Sequence, residues 1–291
     1  MSDGLVGVIG GSGLGDALLG HLTDVEVEQV DTPFGAPSSS IQVGKMGSKR
    51  IAFLNRHGDG HRYGPSEVNY AANIFALKKL GVTALLASGA VGSLKEVIKP
   101  KELIVVDQFI DKTFRRQGSF FGKVGAVHCE MAEPCCGRLR EAIITASRGI
   151  NARTHLEGTY ICMEGPQFST RAESMMHIAW GGDLIGMTAM PEAKLAREAQ
   201  MCYGLIALAS DYDCWREHAE QADKQELLKE IIGNLTAATE NAIELIKATL
   251  EGDIELCSDE CGCRKSLELA VWSRPKEMDQ DEMKKLEVLF E

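Results

Sequence analysis

The chain has 291 residues, 44% hydrophobic and 25% charged, which are values of a folded globular protein rather than a disordered, fibrous or coiled-coil one. Lys and Arg number 31 against 42 Asp and Glu, a formal net charge of -11 that argues against nucleic-acid and membrane-surface partners. The longest stretch free of formal charge, Leu80 to Leu94, is too short and too glycine-broken for the ~20 apolar residues of a membrane span. The opening Met1-Ser2-Asp3-Gly4 lacks a basic n-region, so no secretory signal and a cytoplasmic location are expected.

In chain order, Leu5–Ile9 reads as a short buried strand running into Gly10-Gly11-Ser12-Gly13. Arg50–Leu54 is a second, ending in Asn55-Arg56-His57-Gly58. Ser66 reads as the N-cap of a helix whose apolar face is Val68, Ala71, Ala72, Phe75, Ala76 and Leu80, with Gly81 as the stop. Val82–Ser88 predicts a buried strand leading into the loop Gly89-Ala90-Val91-Gly92-Ser93. Further strands are expected at Leu103–Phe109, Thr159–Met163 and Gly204–Ser210, and helices at Arg138–Arg148, Arg171–Trp180 and Glu192–Met201. A long helix from about Lys224 to Leu250 carries an apolar stripe of Leu228, Ile231, Ile232, Leu235, Ala242, Leu245 and Ile246. This alternation predicts one α/β domain over residues 1–250 with a largely parallel or mixed sheet. The charged, Cys-containing extension over 251–291 reads as appended and dispensable for catalysis.

Chemistry is expected at the strand ends. Small ligands of open α/β sheets gather at the carboxyl ends of strands, and Gly lets backbone N–H groups approach an anion. Gly11-Ser12-Gly13 misses the dinucleotide fingerprint, because the position three after Gly13 is Asp16. Gly122-Lys123 is followed by Val124, so there is no triphosphate-wrapping loop either. A single free phosphate suits short turns plus one fixed cation, and Arg56 with His57 offers that cation and a further donor. The short basic cluster Lys112 to Arg116, diluted by Thr113 and Phe114, leaves room at most for a local anion pocket. Asp211-Tyr212-Asp213 puts two carboxylates at a strand end, where they would bind a heterocycle's exocyclic amine or ring nitrogen, or serve as a turn or cap. Glu164 to Glu173 is polar, carries Phe168 as a ring for stacking, and ends at a helix start; Met187-Thr188 precedes another helix.

Nine cysteines suit a reducing compartment. The tail spacing Cys257-x3-Cys261-x-Cys263 has no histidine after it, so a four-ligand zinc site would have to borrow a distant ligand. Free thiols or a local disulfide are the plainer reading, and no metal site is expected.

Ile9-Gly-Gly-Ser-Gly13, Asn55-Arg-His-Gly58, Ser88-Gly-Ala-Val-Gly-Ser93, Met131-Ala-Glu-Pro134, Glu164–Glu173, Met187-Thr188 and Asp211-Tyr-Asp-Cys-Trp215, in this order, resemble the purine nucleoside phosphorylase family. The resemblance is nearest to its 5′-methylthioadenosine phosphorylase branch. It implies a mixed, distorted central sheet flanked by helices, a homotrimer, and attack by inorganic phosphate on C1′ of a nucleoside, with no other cofactor. It assigns Ser12, Arg56, His57, Gly89, Ala90 and Thr188 to phosphate, although Gly89 replaces a Thr common in that branch. Met187 would contact the ribose, Phe168 would pack on the base, and Asp211-Tyr212-Asp213 would hold it, with Asp211 as the catalytic acid or acceptor. Ser169 falls on a position linked to substrate choice, and His128 on one that reaches a neighbouring subunit's site. Gln221-Ala-Asp-Lys224 stands where the family usually turns apolar, so Lys224 bears on the 5′ substituent. The implied reaction converts 5′-methylthioadenosine to adenine and 5-methylthioribose 1-phosphate. The alternatives are a 6-oxopurine nucleoside phosphorylase, a hydrolytic nucleosidase and a non-catalytic nucleoside-binding protein.

Overall fold

The architecture turns on one strand. A computed structural model describes residues 4–11, 14–216 and 224–291, and its sheet is built around β5 (Val82–Ser93). This strand is rich in Ala, Leu, Val and Gly and mostly buried, as a strand covered on both faces must be. Along one edge, β11 (Cys202–Tyr212) runs parallel to it from Cys202↔Ala84 to Tyr212↔Ser93, with a register shift between Ala209 and Asp211. Along the other edge lies β1 (Leu5–Gly10), parallel to β5 and ending its pairing at Ile9↔Ala87. That edge is taken up again only at Gly92 and Ser93, by the antiparallel β10 (Leu184–Gly186). Ser88 to Val91 therefore lie in a fork where two partner strands part, the kind of switch point at which open α/β sheets bind ligands.

On the near side of the fork, β4 (Lys49–Asn55) pairs parallel with β1, and β3 (Ile41–Met46) and β2 (Thr23–Glu28) continue the sheet antiparallel. On the far side, β10 pairs with β9 (Thr159–Cys162), which pairs with β7 (Gln108–Asp111). β6 (Leu103–Val105) joins β11 to the two-residue β8 (Thr154–His155). The result is a mixed 11-stranded sheet with helices on both faces. On one face α2 (Tyr70–Lys79) and α5 (Ala189–Glu198) pack with Phe75, Leu77, Leu195 and Tyr203. On the other, α1 (Leu14–Leu19), α3 (Gly137–Ser147) and α6 (Lys224–Glu251) pack with Leu139, Ile143, Leu245 and Ile246. The smaller α4 (Arg171–Ala179) carries a capping box at Thr170 and Glu173. Among the described residues, no helix is long and apolar enough to cross a membrane.

Several local expectations are corrected. The N-cap of α2 is Asn69, whose side chain accepts from Ala72 N; the Ser66 hydroxyl instead bonds Glu164. β5 continues straight through the expected glycine loop, because β11 pairs with it there. Leu103–Phe109 splits into β6 and β7, which join different neighbours. The stripe of α6 is buried only in its second half: Leu228 and Ile232 are 58% and 56% exposed.

The segment after Glu251 does not stand off the molecule. Leu256 and Cys263 enter the core on the α6 face, and Leu267, Met278, Leu286 and Leu289 enter it on the α2 face. Polar ties reinforce this: Arg264 donates to Gln200 O at 2.9 Å, Ser266 to Arg197 O at 2.6 Å, and Gln200 Nε2 to Leu289 O at 3.0 Å. These anchors are irregularly spaced, so they leave no periodic trace in the sequence.

Candidate active site

The fork at Ser88–Val91 is filled by a cation. Arg56 comes directly after β4, its backbone N–H bonds Gly10 O at 3.0 Å, and its side chain is wholly buried. Nε and Nη2 donate to Oε2 and Oε1 of Glu192 on α5 at 2.6 and 2.9 Å, and Nη1 donates to Ser88 O at 2.7 Å. Burial opposes the charge, but the Glu192 carboxylate raises the guanidinium pKa above its ordinary value. Tyr203 on β11 holds Glu192 Oε1 in turn, at 3.0 Å. Of five guanidinium N–H groups three are committed, leaving one on Nη1 and one on Nη2 without a partner among the described residues.

Glycine makes this approach possible. A Cβ on Gly11 would stand 3.1 Å from Arg56 Nη1, 3.2 Å from Ser88 O and 3.5 Å from Gly89 Cα. One on Gly89 would stand 3.4 Å from Thr188 Oγ1. Gly11, Arg56, Gly89 and Thr188 are thus brought together, with Ala90 next along β5 and half-buried. Thr188 is the N-cap residue of α5, and its backbone N–H points to Tyr160 OH at 3.3 Å. His57 is buried, and because Tyr63 O only accepts, its Nδ1 carries the proton in their 2.8 Å bond. Burial and the neighbouring Arg56 lower its pKa to about 4, so the imidazole is neutral near pH 7. These are the parts of a small-oxyanion site: a fixed guanidinium, a hydroxyl and close backbone. Ser12 lies outside the described residues.

Next to it, Arg116 ties three segments into one wall. Its Nε meets Glu164 Oε1 at 3.1 Å, and its terminal nitrogens donate to the carbonyls of Met187 and Met190, both at 2.6 Å, and of Glu164 at 2.7 Å. Burial works against ionisation of Glu164, but the Ser66 hydroxyl, the Phe114 and Arg115 amides and Arg116 bring its pKa down to about 2. Met187 is seated by this clamp; Gly165, at φ +67°, comes so close that a Cβ there would fall 2.6 Å from Met187 Sδ.

The third part lies where β11 bulges. Asp211 pairs with Gly92 and its Oδ1 accepts from Ser210 Oγ at 2.6 Å. Asp213 is buried beside Gly92, its N–H bonded to Ser93 O at 3.0 Å, while its Oδ2 has no partner among the described residues. An unpartnered buried carboxylate oxygen is an acceptor waiting for a donor. Ser169 is joined to this end through its carbonyl, which accepts from Cys214 Sγ at 3.2 Å, and its hydroxyl lies 3.7 Å from Met163 Sδ. Phe168 is 86% exposed, a bare ring at the rim. Tyr212 points its hydroxyl at Glu96 O, 3.3 Å away, and stacks with Arg216 at 4.3 Å, so its described contacts lie with that loop.

Two named residues lie elsewhere. His128 is exposed and held by the extension, its N–H bonded to Ala270 O at 2.8 Å and its ring 5.2 Å from Trp272. Lys224 opens α6, and the 221–223 run before it lies outside the described residues. Conversely, Glu192, Tyr203 and Arg116 organise the site without having been singled out. A buried acid opposite Arg56 was demanded by electrostatics, but nothing local marks which of the 42 acids it is.

Residues 5–251 match the sequence profile of the Phosphorylase superfamily. The chain is similar to the S-methyl-5′-thioadenosine phosphorylase of Cereibacter sphaeroides, 43% identical over 288 residues, covering 98% of this chain and 97% of that one. That of Geobacter sulfurreducens is 44% identical over 270 residues, covering 92% and 91%. Among solved structures, a methylthioadenosine phosphorylase from an antarctic soil metagenomic library superposes with a TM-score of 0.87 at 39% identity over 98% of both chains. A variant of the Schistosoma mansoni adenosine/methylthioadenosine phosphorylase in complex with methylthioadenosine gives 0.77 at 38% identity, covering 84% of this chain and 90% of that one.

Proposed function

This chain belongs to the phosphorylase superfamily, and from that premise we propose that it cleaves 5′-methylthioadenosine with inorganic phosphate, giving adenine and 5-methylthioribose 1-phosphate. The observation that carries the reading is the fork itself. An oxyanion site at Gly11, Arg56, Gly89 and Thr188 lies on the same stretch of β5 that faces two carboxylates, Asp211 and Asp213.

Phosphate bound at Arg56, His57, Ala90 and Thr188, with Ser12, is held against C1′ of the ribose, which rests on Met187. The C1′–N9 bond breaks as the C1′–O bond forms. Positive charge builds on the sugar in the transition state, and the phosphate dianion beside it stabilises that charge while already placed to attack. The departing purine gains electron density, and Asp211 assists it as general acid or as the acceptor from its 6-amino group. Asp213 holds the base together with Asp211, Phe168 covers it from the rim, and Tyr212, Ser169 and Lys224 border the nucleoside. The displacement needs a nucleophile and an acid, so phosphate is co-substrate and no further cofactor is part of the reading.

A homotrimer belongs to the proposal, with His128 of one subunit completing a neighbour's site; its exposure in the single chain supports this. A cytoplasmic, reducing setting and a place in purine and methionine salvage complete it, the former in keeping with an odd number of cysteines scattered along the chain. The test is a panel of methylthioadenosine, adenosine, inosine and methylthioinosine, each with and without phosphate. Phosphate-dependent release of adenine, fastest from methylthioadenosine, is expected. Preference for inosine or methylthioinosine would reassign the enzyme to 6-oxopurine nucleosides, and equal rates without phosphate would make it a nucleosidase.

A further inference from the structure

Folding gathers four cysteines from three distant places. Cys136 precedes α3, Cys202 opens β11, and Cys261 and Cys263 come from the extension. Their sulfurs all lie within 4.8 Å of one another, with Cys136–Cys261 at 3.7 Å and Cys202–Cys261 at 3.6 Å. A tetrahedron with metal–sulfur bonds of about 2.3 Å has edges of about 3.8 Å. The two pairs match that edge, and both stand well beyond the ~2.05 Å of a sulfur–sulfur bond. Cys136, Cys202 and Cys263 are buried and Cys261 is half-buried.

We infer that Cys136, Cys202, Cys261 and Cys263 form a structural site for a zinc ion, which staples the C-terminal extension to the catalytic domain. Four soft sulfur ligands in a tetrahedral array select zinc over the hard cations. Each thiol gives its proton to solvent as its sulfur–zinc bond forms, with no change of oxidation state. The surroundings suit the negative charge that four thiolates leave on the centre. Arg197 Nη1 donates to Cys263 Sγ at 3.6 Å from a buried position, and Cys136 sits at the positive end of α3. Cys257, 3.2 Å from Cys202 Sγ, flanks the set without belonging to it.

The staple has a consequence for the fold. From Cys263 the chain runs on to Ala270 and Trp272, whose backbone bonds His128 and Ala126 at 2.8 and 2.9 Å. Zinc at Cys261 and Cys263 therefore also anchors the strip against which His128 is held.

The experiment is metal analysis of the full chain purified under reducing conditions without chelator. About one zinc per chain is expected for a closed four-cysteine site. Cobalt exchanged into the protein should give the intense visible bands of tetrahedral thiolate-bound Co2+. Cys136→Ser and Cys263→Ser should lose the metal, while Cys129→Ser and Cys257→Ser should keep it. In case a ligand variant fails to fold, the wild-type chain is also treated with a mercurial to release zinc. Loss of the ion should then make residues 252–291 the first target of limited proteolysis. A chain without metal in which all nine thiols react freely would overturn the proposal. So would a mass lowered by two hydrogens for each of one or more disulfides, iron in place of zinc, or loss of metal in Cys257→Ser.

Discussion

Arg56 and Glu192, 136 residues apart, close a two-bonded ion pair at 2.6 and 2.9 Å with side chains 0% and 1% exposed. The pair sets where the guanidinium stands, and the N–H groups it leaves over are the ones an anion would take. Glu192→Gln keeps the shape and removes the counter-charge. Stability should fall by about 3–5 kcal/mol, the scale of stranding a buried charge. Added phosphate should then raise Tm more in the variant than in the wild type, since the anion restores a partner. An equal or smaller rise, measured by thermal melts with and without phosphate, would contradict this role for Arg56.

His57 makes stability depend on pH with a definite sign. Burial, then Arg56, holds its folded pKa at about 4, below the usual 6.5. Between these values the unfolded chain binds a proton that the folded chain refuses, so its contribution is complete above pH 6.5 and is lost as pH falls toward 4. The whole shift is worth at most about 3 kcal/mol. In phosphate-free buffer, Tm should therefore drop more steeply from pH 6.5 to 4.5 in the wild type than in His57→Gln. Parallel curves would show that the histidine is not buried neutral.

Much of this arrangement is legible in the sequence because its signals are local. Ile9-Gly10-Gly11, Asn55-Arg56-His57 and Ser210-Asp211 each mark a strand and the turn that ends it, and the α/β alternation can be read from them. The fork is not legible, because it exists only through which strands pair with β5 and where each pairing stops. Glu192 is one acid among many until Arg56 is placed beside it. Arg116 reads as the end of a diluted basic cluster, yet its guanidinium is taken up by carbonyls of Glu164, Met187 and Met190. Cys136 and Cys261 are 125 residues apart, so the distant ligand that the tail spacing calls for cannot be named from spacing.

The extension gives a third prediction. Removing residues 252–291 would take Leu256, Leu267, Met278, Leu286 and Leu289 out of the core and remove the bonds of Ser266 to Arg197 O and of Gln200 to Leu289 O. Several apolar side chains lost from the core, each worth roughly 1.5–3 kcal/mol on burial, exceed the margin of most domains. The truncated chain should be insoluble or melt far below the full chain; a truncation with unchanged Tm would contradict this packing of the extension.

Base choice rests on Asp211 and Asp213. A 6-aminopurine offers a donor to their oxygens, whereas a 6-oxopurine would leave facing acceptors unpaired at a cost of about 1–3 kcal/mol, roughly 10- to 100-fold. Asp211→Asn should lower kcat/KM for the adenine nucleoside and raise it for the hypoxanthine analogue. A ratio that does not move would take Asp211 out of base recognition.

The central claim is that phosphate itself attacks C1′ from the site at Arg56. Turnover of methylthioadenosine with oxygen-18-labelled phosphate tests it most directly, by mass spectrometry of the sugar product. The account predicts a sugar 1-phosphate that keeps the whole label, including the oxygen now bound to C1′, and a kcat/KM for phosphate reduced about 10- to 1000-fold in Arg56→Ala. An unphosphorylated sugar carrying solvent oxygen at C1′ would contradict it.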